Sequence, residues 1–212
     1  MEYFDLYDEQ GQRLGRSKER ALVHRDGDWH RSIHLWVVRS DGTLVFQQRS
    51  AGKDTWPNHF TCTVGGHYAA GEDLAQVLRE AREEVGQPVG PGDLLPLGTW
   101  RYDDASEAGI RDREWQDVFL WPSTLPLTAF KPDPEEVAAL AEVSPEALLR
   151  LLAGEAGEAP MRFRARGTLL VEPRSLHRDD LVPTPAYHTC IARAALAYAG
   201  GGAPPSLEHL RG

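Results

Sequence analysis

The sequence predicts an α+β domain, a mixed sheet flanked by helices. Three observations carry this. Short apolar runs closed by turn signals come first, a helical period interrupts them between Gly71 and Val85, and strand-like runs return before a second helical stretch. Strands, helix, strands, helix is an order that a mixed sheet with helices packed on it accommodates.

Taken in turn, Tyr3 to Tyr7 reads as a short strand closed by Asp8-Glu9-Gln10-Gly11. Ile33 to Val38 reads as a buried strand, and Asp41-Gly42 turns it into a hairpin with Thr43 to Gln48. Phe60 to Val64 is strand-like and ends at Gly65-Gly66. From Gly71 to Val85, Leu74, Leu78, Ala81 and Val85 recur as one apolar helical stripe, which Gly86 and Pro88 stop. Strands follow at Leu94 to Trp100, at Trp115 to Trp121 and, shorter, at Val137 to Glu142. Ser144 caps a helix that has Pro145 at its first position and runs to Leu152. Gly154 to Pro160 reads as loop and Tyr187 to Ala199 as the last helix. Residues 1–199 are expected to form one domain. Residues 200–212, which include Gly200-Gly201-Gly202 and Pro204-Pro205, are expected to form a flexible tail.

The 212 residues are 41% hydrophobic and 26% charged, which is globular rather than disordered composition. A net charge of −9 disfavours nucleic acid polymers and anionic membrane as partners. A phosphorylated substrate would therefore need local positive charge, from a metal or from a few Arg and Lys. Two cysteines, Cys62 and Cys190, lack metal-type spacing and read as free thiols. No run of about 18 apolar residues occurs. The acidic start Met1-Glu2-Tyr3-Phe4-Asp5 does not resemble a signal peptide, so the cytoplasm is the expected compartment.

The chemistry concentrates in Gly65-Gly66-His67-Tyr68-Ala69-Ala70-Gly71-Glu72 and the helix after it. At roughly 100° per residue, Glu80, Glu83 and Glu84 share an arc of about 100°, nearly opposite the apolar stripe. Like charges at these spacings cost about 0.2–0.5 kcal/mol per pair, and the C-terminal half of a helix disfavours anions. Arg79 offsets part of this through Glu83 at i+4, and a divalent cation would offset far more. Clustered carboxylates suit Mg²⁺, which keeps waters and takes substrate phosphate as further ligands. Gly65, Gly66 and Gly71 allow a backbone that approaches an anion closely.

These residues resemble the Nudix family signature: a Gly, five residues, a Glu, seven residues, then Arg-Glu-x-x-Glu-Glu-x-Gly. Gly66 and Glu72 have the first spacing, and Arg79, Glu80, Glu83, Glu84 and Gly86 match the second half. The departure is that six residues, Asp73 to Leu78, separate Glu72 from Arg79. A wider stretch is similar to the subgroup related to isopentenyl-diphosphate isomerase. It comprises His24 to Trp36, Gln48-Arg49-Ser50, Lys53-Asp54-Thr55-Trp56-Pro57, Gly66-His67 and Arg113 to Leu120, within residues 1–150. The resemblance implies a Nudix-type α/β/α sandwich and a hydrolase that cleaves a diphosphate linkage in a small nucleotide-like or prenyl-diphosphate-like molecule.

It further implies that Glu80, Glu83 and Glu84 hold Mg²⁺, with Mn²⁺ as a substitute. Arg79, Glu83 and Glu114 become the catalytic candidates, with Glu83 or Glu114 as the base. Gly65, Gly66, Arg49 and Lys53 are the substrate-binding candidates, and Trp56 or Trp115 would stack on the organic group or fill the core. His30, His67 and Glu114 match a second metal site, with His24 offset by one residue and Asp112 in place of a Glu. Two alternatives stay open: an isomerase, and a non-catalytic nucleotide sensor. The isomerases carry their Cys at the position of Gly65, and Cys62, three residues away on a strand, should face the other side. A homodimer is compatible with all of these readings.

Overall fold

The computed structural model describes residues 1–105 and 111–210. From the N-terminus, β1 (Tyr3–Tyr7) and β2 (Arg13–Glu19) form a two-stranded sheet, and α1 (Arg20–Asp26) leads into β3 (His30–Val38) and β4 (Leu44–Arg49). The short β5 (Phe60–Thr61) and β6 (Val64–His67) precede α2 (Leu74–Val77) and α3 (Arg79–Val85). Then come β7 (Leu95–Ala105), β8 (Arg111–Pro122), β9 (Val137–Val143), α4 (Pro145–Leu152), β10 (Ala159–Ala165), β11 (Glu172–Leu176), α5 (Pro185–Ala199) and α6 (Leu207–Leu210).

Among the described residues the main sheet has nine strands, in the order β11-β10-β9-β4-β3-β8-β7 with β5 on β4 and β6 on β3. It is mixed because β3 runs parallel to β8 but antiparallel to β4 and β6. Strand β3 explains the layering. Ile33, Leu35 and Val37 pack on one face with Val77, Leu78, Ala81 and Val85 of the α2–α3 region. Trp36 and Val38 pack on the other with Leu148 and Leu151 of α4 and Ile191 and Ala195 of α5. A strand covered on both faces needs an unbroken apolar run, which is why Ile33 to Val38 shows little alternation. Among the described residues no helix is long and apolar enough to cross a membrane.

The sequence reading needs correction at several places. The helix expected from Gly71 to Val85 starts at Leu74, where Asp73 and Gln76 form a reciprocal capping box, and it breaks at Leu78 (φ −64°, ψ −5°). Gly65-Gly66 does not end the preceding strand: both glycines lie inside β6, paired with His34 and Ile33. The loop expected to Pro160 gives way to β10 at Ala159. Strand β10 was not anticipated although its buried residues alternate; strands β2 and β11 and helix α1 were also missed, and each is mostly exposed and polar, so it carries no apolar period to read. The tail expected to be flexible includes α6, and Leu207 is fully buried in the core on the α5 side.

Gly86 ends α3 in the left-handed region (φ 68°), and a Cβ there would meet the Lys131 Cβ at 2.7 Å. Both the conformation and the contact require glycine. At the other end of the chain, Tyr187 of α5 ties the last helix to β3. Its hydroxyl accepts from Trp36 Nε1 (2.9 Å) and bonds His34 Nδ1 (2.8 Å).

Candidate active site

A cavity of about 750 Å³ opens where β3 and β4 diverge. The two strands pair at Val37–Val45 and Val38–Leu44, and β5 and β6 enter the gap between their other ends. Carboxylates from α3 line one part of the cavity and a histidine–carboxylate group from β3, β6 and β8 lines another.

On the α3 side, Gly66 is what lets the helix approach. A Cβ at position 66 would lie 2.3 Å from Glu80 Cγ and 2.4 Å from Glu80 Cδ. Glu84, 4% exposed, accepts from the Gly65 backbone N–H and from Gln47 Nε2, both at 3.1 Å. Burial, with Glu80 nearby, pushes the Glu84 carboxyl up to about 8. Burial likewise pushes Glu80 up to about 7, against the lowering effect of Arg79. Glu83 stands at the mouth with its side chain 60% exposed. Arg79 lies behind these groups, 3.1 Å from Glu72, 3.0 Å from Glu80 and 3.9 Å from Glu83. Glu72 also accepts from the Ala69 N–H at 2.8 Å, so the short spacing after it still closes the loop onto Arg79.

The histidine side follows from strand register. On β3 and β8, His30 pairs with Glu114 and Ser32 with Gln116, while Ser32 faces His67 across β6. Glu114 is thereby surrounded: His67 Nε2 bonds one oxygen at 3.0 Å, and Ser32 Oγ and Gln116 Nε2 donate to the other at 2.6 and 2.8 Å. Burial would raise its pKa, but the His67 hydrogen bond and charge, with His30 and His34, hold it well below the usual carboxylate range. Asp112 is raised well above that range by burial and by the adjacent Glu114.

His30 is fully buried, and its Nδ1 lies 3.1 Å from the Asp28 carbonyl. Only a donor satisfies a carbonyl, so Nδ1 carries the proton and the Nε2 lone pair points to the group. Burial lowers His30 to about 3 and His24 to about 4, so both are neutral at physiological pH. Phe4 stacks on His30 and His67, with ring centroids 5.2 and 4.8 Å away, and walls this end with β1.

Both clusters fit divalent cations. Nitrogen and oxygen atoms of His24, His30, His67 and Asp112 lie within 4.8 Å of one another. The Asp112 Oδ1 has no hydrogen-bond partner, although His30 Nε2 is 3.7 Å away and His24 Nε2 4.0 Å. Ligand atoms around an ion with bonds of about 2.1 Å stand roughly 3–4 Å apart. On the α3 side the buried Gln47 Oε1 is likewise orphaned, on the same amide that holds Glu84. The all-oxygen set of α3 suits a hard cation, whereas neutral imidazoles suit transition metals.

The other expected residues divide. Gly65 and Gly66 line the cavity; the Gly65 N–H donates to Glu84, and Gly66 gives clearance to Glu80. Lys53 is ion-paired with Glu136, and Arg49 donates to the Thr55 carbonyl and hydroxyl at 2.8 and 3.0 Å; both line the cavity. Trp56 lines it too. Trp115 instead packs against Trp29 and Gly11 and donates to the Asp8 carbonyl.

The expectation for Cys62 was wrong. Because β5 and β6 are separate strands, period-two counting fails between residues 62 and 65. The Cys62 Sγ lies 3.1 Å from where a Gly65 Cβ would be, in the cavity wall. Ser32, Gln116 and Tyr187 were missed. The signal for the first two was present: His30-x-Ser32-x-His34 and Asp112-x-Glu114-x-Gln116 place polar side chains at period two inside strands.

The comparisons with known proteins agree with this geometry. The NUDIX domain matches residues 28–164. An uncharacterized Nudix hydrolase of Clostridium acetobutylicum is 30% identical over 92% of this chain and 97% of its own length. The isopentenyl-diphosphate Delta-isomerase of Streptomyces coelicolor is 34% identical over 68% of this chain and 72% of its own. A crystal structure from Deinococcus radiodurans covers 72% of this chain and 90% of its own, with a TM-score of 0.55 and 26% identity. A mixed sheet between helical layers, the paired cavity clusters and these matches lead to one assignment: the chain belongs to the Nudix family, as a Nudix hydrolase related to the isopentenyl-diphosphate isomerases.

Proposed function

We propose that the protein is a Mg²⁺-dependent hydrolase that cleaves the diphosphate linkage of a small nucleotide-like or prenyl-diphosphate-like substrate, with Glu80, Glu83 and Glu84 as the Mg²⁺ ligands. The observation that carries this reading is Glu80 pressed against Gly66 beside the buried Glu84, two carboxyls whose burial disfavours their charge until a cation compensates it. When bound, a divalent cation neutralises diphosphate charge and acidifies water.

The side chains divide the remaining work. Arg79 fixes Glu72, Glu80 and Glu83 in one arrangement, acting as a positioning residue. Arg49, at the cavity wall, offers its guanidinium to a phosphate, and Lys53 can join it by releasing Glu136. A water oxygen attacks one phosphorus in line, the bridging P–O bond breaks, and the second phosphate leaves with that electron pair. Glu83 takes the water's proton. It stands at the open mouth, whereas Glu114 already accepts from His67, Ser32 and Gln116. We assign Glu114 to the histidine cluster, as a holder of His67 and a ligand to a second metal. Release of phosphate or of a phosphomonoester from a panel of diphosphates, with and without Mg²⁺, tests the reading. Absence of metal-dependent release from every member would overturn it.

One observation favours a second reading. Cys62 brings a thiol to the space beside Gly65, where the isomerases have theirs, and burial keeps that thiol protonated. Isopentenyl diphosphate separates the two readings. Conversion to the dimethylallyl isomer, lost in Cys62→Ala, supports isomerisation, and phosphate release that survives Cys62→Ala supports hydrolysis.

A further inference from the structure

A second cavity, of about 390 Å³, adjoins the first and shares Trp56 and Val182 with it. Its wall is the segment leading into α5, including Leu181, Pro183 and the first helical residue Pro185, which the Val182 N–H anchors to the Phe60 carbonyl at 3.1 Å. The volume is that of a small-molecule subsite, for which about 300–1,000 Å³ is usual. Residues 178–188, which build much of it, lie beyond the stretch matched by the NUDIX domain.

Two features mark this cavity out. The first is His188 of α5, which lines it, is 1% exposed, and has no hydrogen-bond partner at either ring nitrogen. Burial lowers its pKa to about 3, so the ring is neutral and presents one donor and one acceptor. Its ring neighbours are aromatic: Trp36, Phe46 and Tyr187. A buried polar group without a partner is destabilising, and a leucine or phenylalanine would fill the place without that penalty. The second is Trp56, held in the left-handed region at φ 47°, with Asn58 at φ 64°. Non-glycine residues take that conformation at a cost and only where the surroundings impose it. Here Arg49 grips Thr55 and Gln48 donates to the Asn58 carbonyl, which sets the indole on the boundary between the two cavities.

We propose that the second cavity is the subsite for the organic half of the diphosphate substrate, and that His188 selects an uncharged ring carrying a hydrogen-bond donor and acceptor over a pure hydrocarbon chain. This rests on the hydrolase reading for the position of the diphosphate. Trp56 covers the junction, the diphosphate lies toward α3, and the ring reaches between Trp56 and the 181–185 wall to His188, which turns one ring nitrogen out of its aromatic packing to meet a donor or an acceptor.

The test measures binding by calorimetry in the presence of Mg²⁺, for the full chain and for His188→Leu and His188→Gln. Two probes are used: the α,β-methylene analogue of ADP, which cannot be hydrolysed and whose base carries donor and acceptor, and dimethylallyl diphosphate. His188→Leu is expected to weaken the ADP analogue about tenfold, to leave dimethylallyl diphosphate within about twofold, and to have an unfolding temperature no lower than the parent. His188→Gln, which keeps a donor and an acceptor, is expected to lose less. Equal effects on both probes, or no effect on the ADP analogue in a folded His188→Leu protein, overturn the proposal. Hydrolase failure is read separately, as absent phosphate release from dimethylallyl diphosphate under the same conditions; the bridge of the ADP analogue cannot be cleaved.

Discussion

Position 66 and Glu80 occupy the same space: any side chain at Gly66 would begin 2.3 Å from the Glu80 Cγ. The glycine in β6 is therefore a clearance for a carboxylate on α3, and its replacement is a direct perturbation of that carboxylate. Gly66→Ala is expected to drive Glu80 out of the cavity, with a loss of about 1–3 kcal/mol in stability from the overpacking. Metal-dependent phosphate release should fall at least about tenfold. Urea titration and a phosphate assay check the two together, and a folded Gly66→Ala protein with unchanged turnover would show that Glu80 has no part in the reaction.

Glu83 makes the complementary case. Its side chain is 60% exposed and approaches the Arg79 guanidinium at 3.9 Å. Glu83→Gln should leave the unfolding temperature within about a degree while lowering kcat by about 10²–10⁴-fold, the usual worth of a general base. Restoration of rate at high pH in the Gln variant, where hydroxide replaces the base, would strengthen the assignment. Unchanged kcat in the Gln variant would transfer the role to another group.

The pH dependence of stability has a definite sign. Glu80 and Glu84 have folded-state pKa values of about 7 and 8, above the ordinary 4.5 of an unfolded glutamate. Between pH 4.5 and 8 the unfolded chain releases these protons and the metal-free folded protein retains them. Folded stability from this pair is present at acid pH and lost as pH rises through that window. Bound Mg²⁺ needs both carboxylates ionised, so it reverses the trend. Thermal unfolding with and without 5–10 Kd of Mg²⁺ should show a larger metal-induced shift at pH 8 than at pH 6. The opposite order would mean that Mg²⁺ does not bind these two groups.

Much of the fold could be read in the sequence; β10 was missed although Ala159, Met161 and Phe163 alternate as buried residues, and the other missed elements lack such a pattern. Buried, periodic elements such as Ile33 to Val38 and the α4 cap at Ser144 followed from apolar spacing and end signals. β2, α1 and β11 have few buried side chains, so their formation depends on partners rather than on their own pattern. The glutamates of α3 were legible because a helix fixes their mutual angle. Cys62 was not, because the step between β5 and β6 changes which way residue 62 faces. His24 and Asp112, which the resemblance offered only with an offset and a substituted acid, reach the cluster through the placement of α1 and the register of β3 on β8, which local spacing does not encode. The second cavity needed the whole C-terminal path from Arg178 to His188.

The histidine cluster and the α3 carboxylates differ enough in donor chemistry to be tested apart. His24 and His30 are already neutral at pH 7, so a metal entering that cluster displaces no proton from either ring. Phe4 stacking and the Asp28 hydrogen bond hold His30 in the tautomer that presents Nε2, and Glu114 holds His67. Such preorientation raises metal affinity, and removing a supporting partner typically lowers it about 10–100-fold. Dialysis against Mn²⁺ or Zn²⁺, then against metal-free buffer, should leave metal on the parent protein and on Glu83→Gln. His30→Ala should lose it, because the variant removes a ligand from the buried centre of the group. Metal retained equally by His30→Ala would place it at the carboxylates of α3, and the two clusters would then have to be treated as one site.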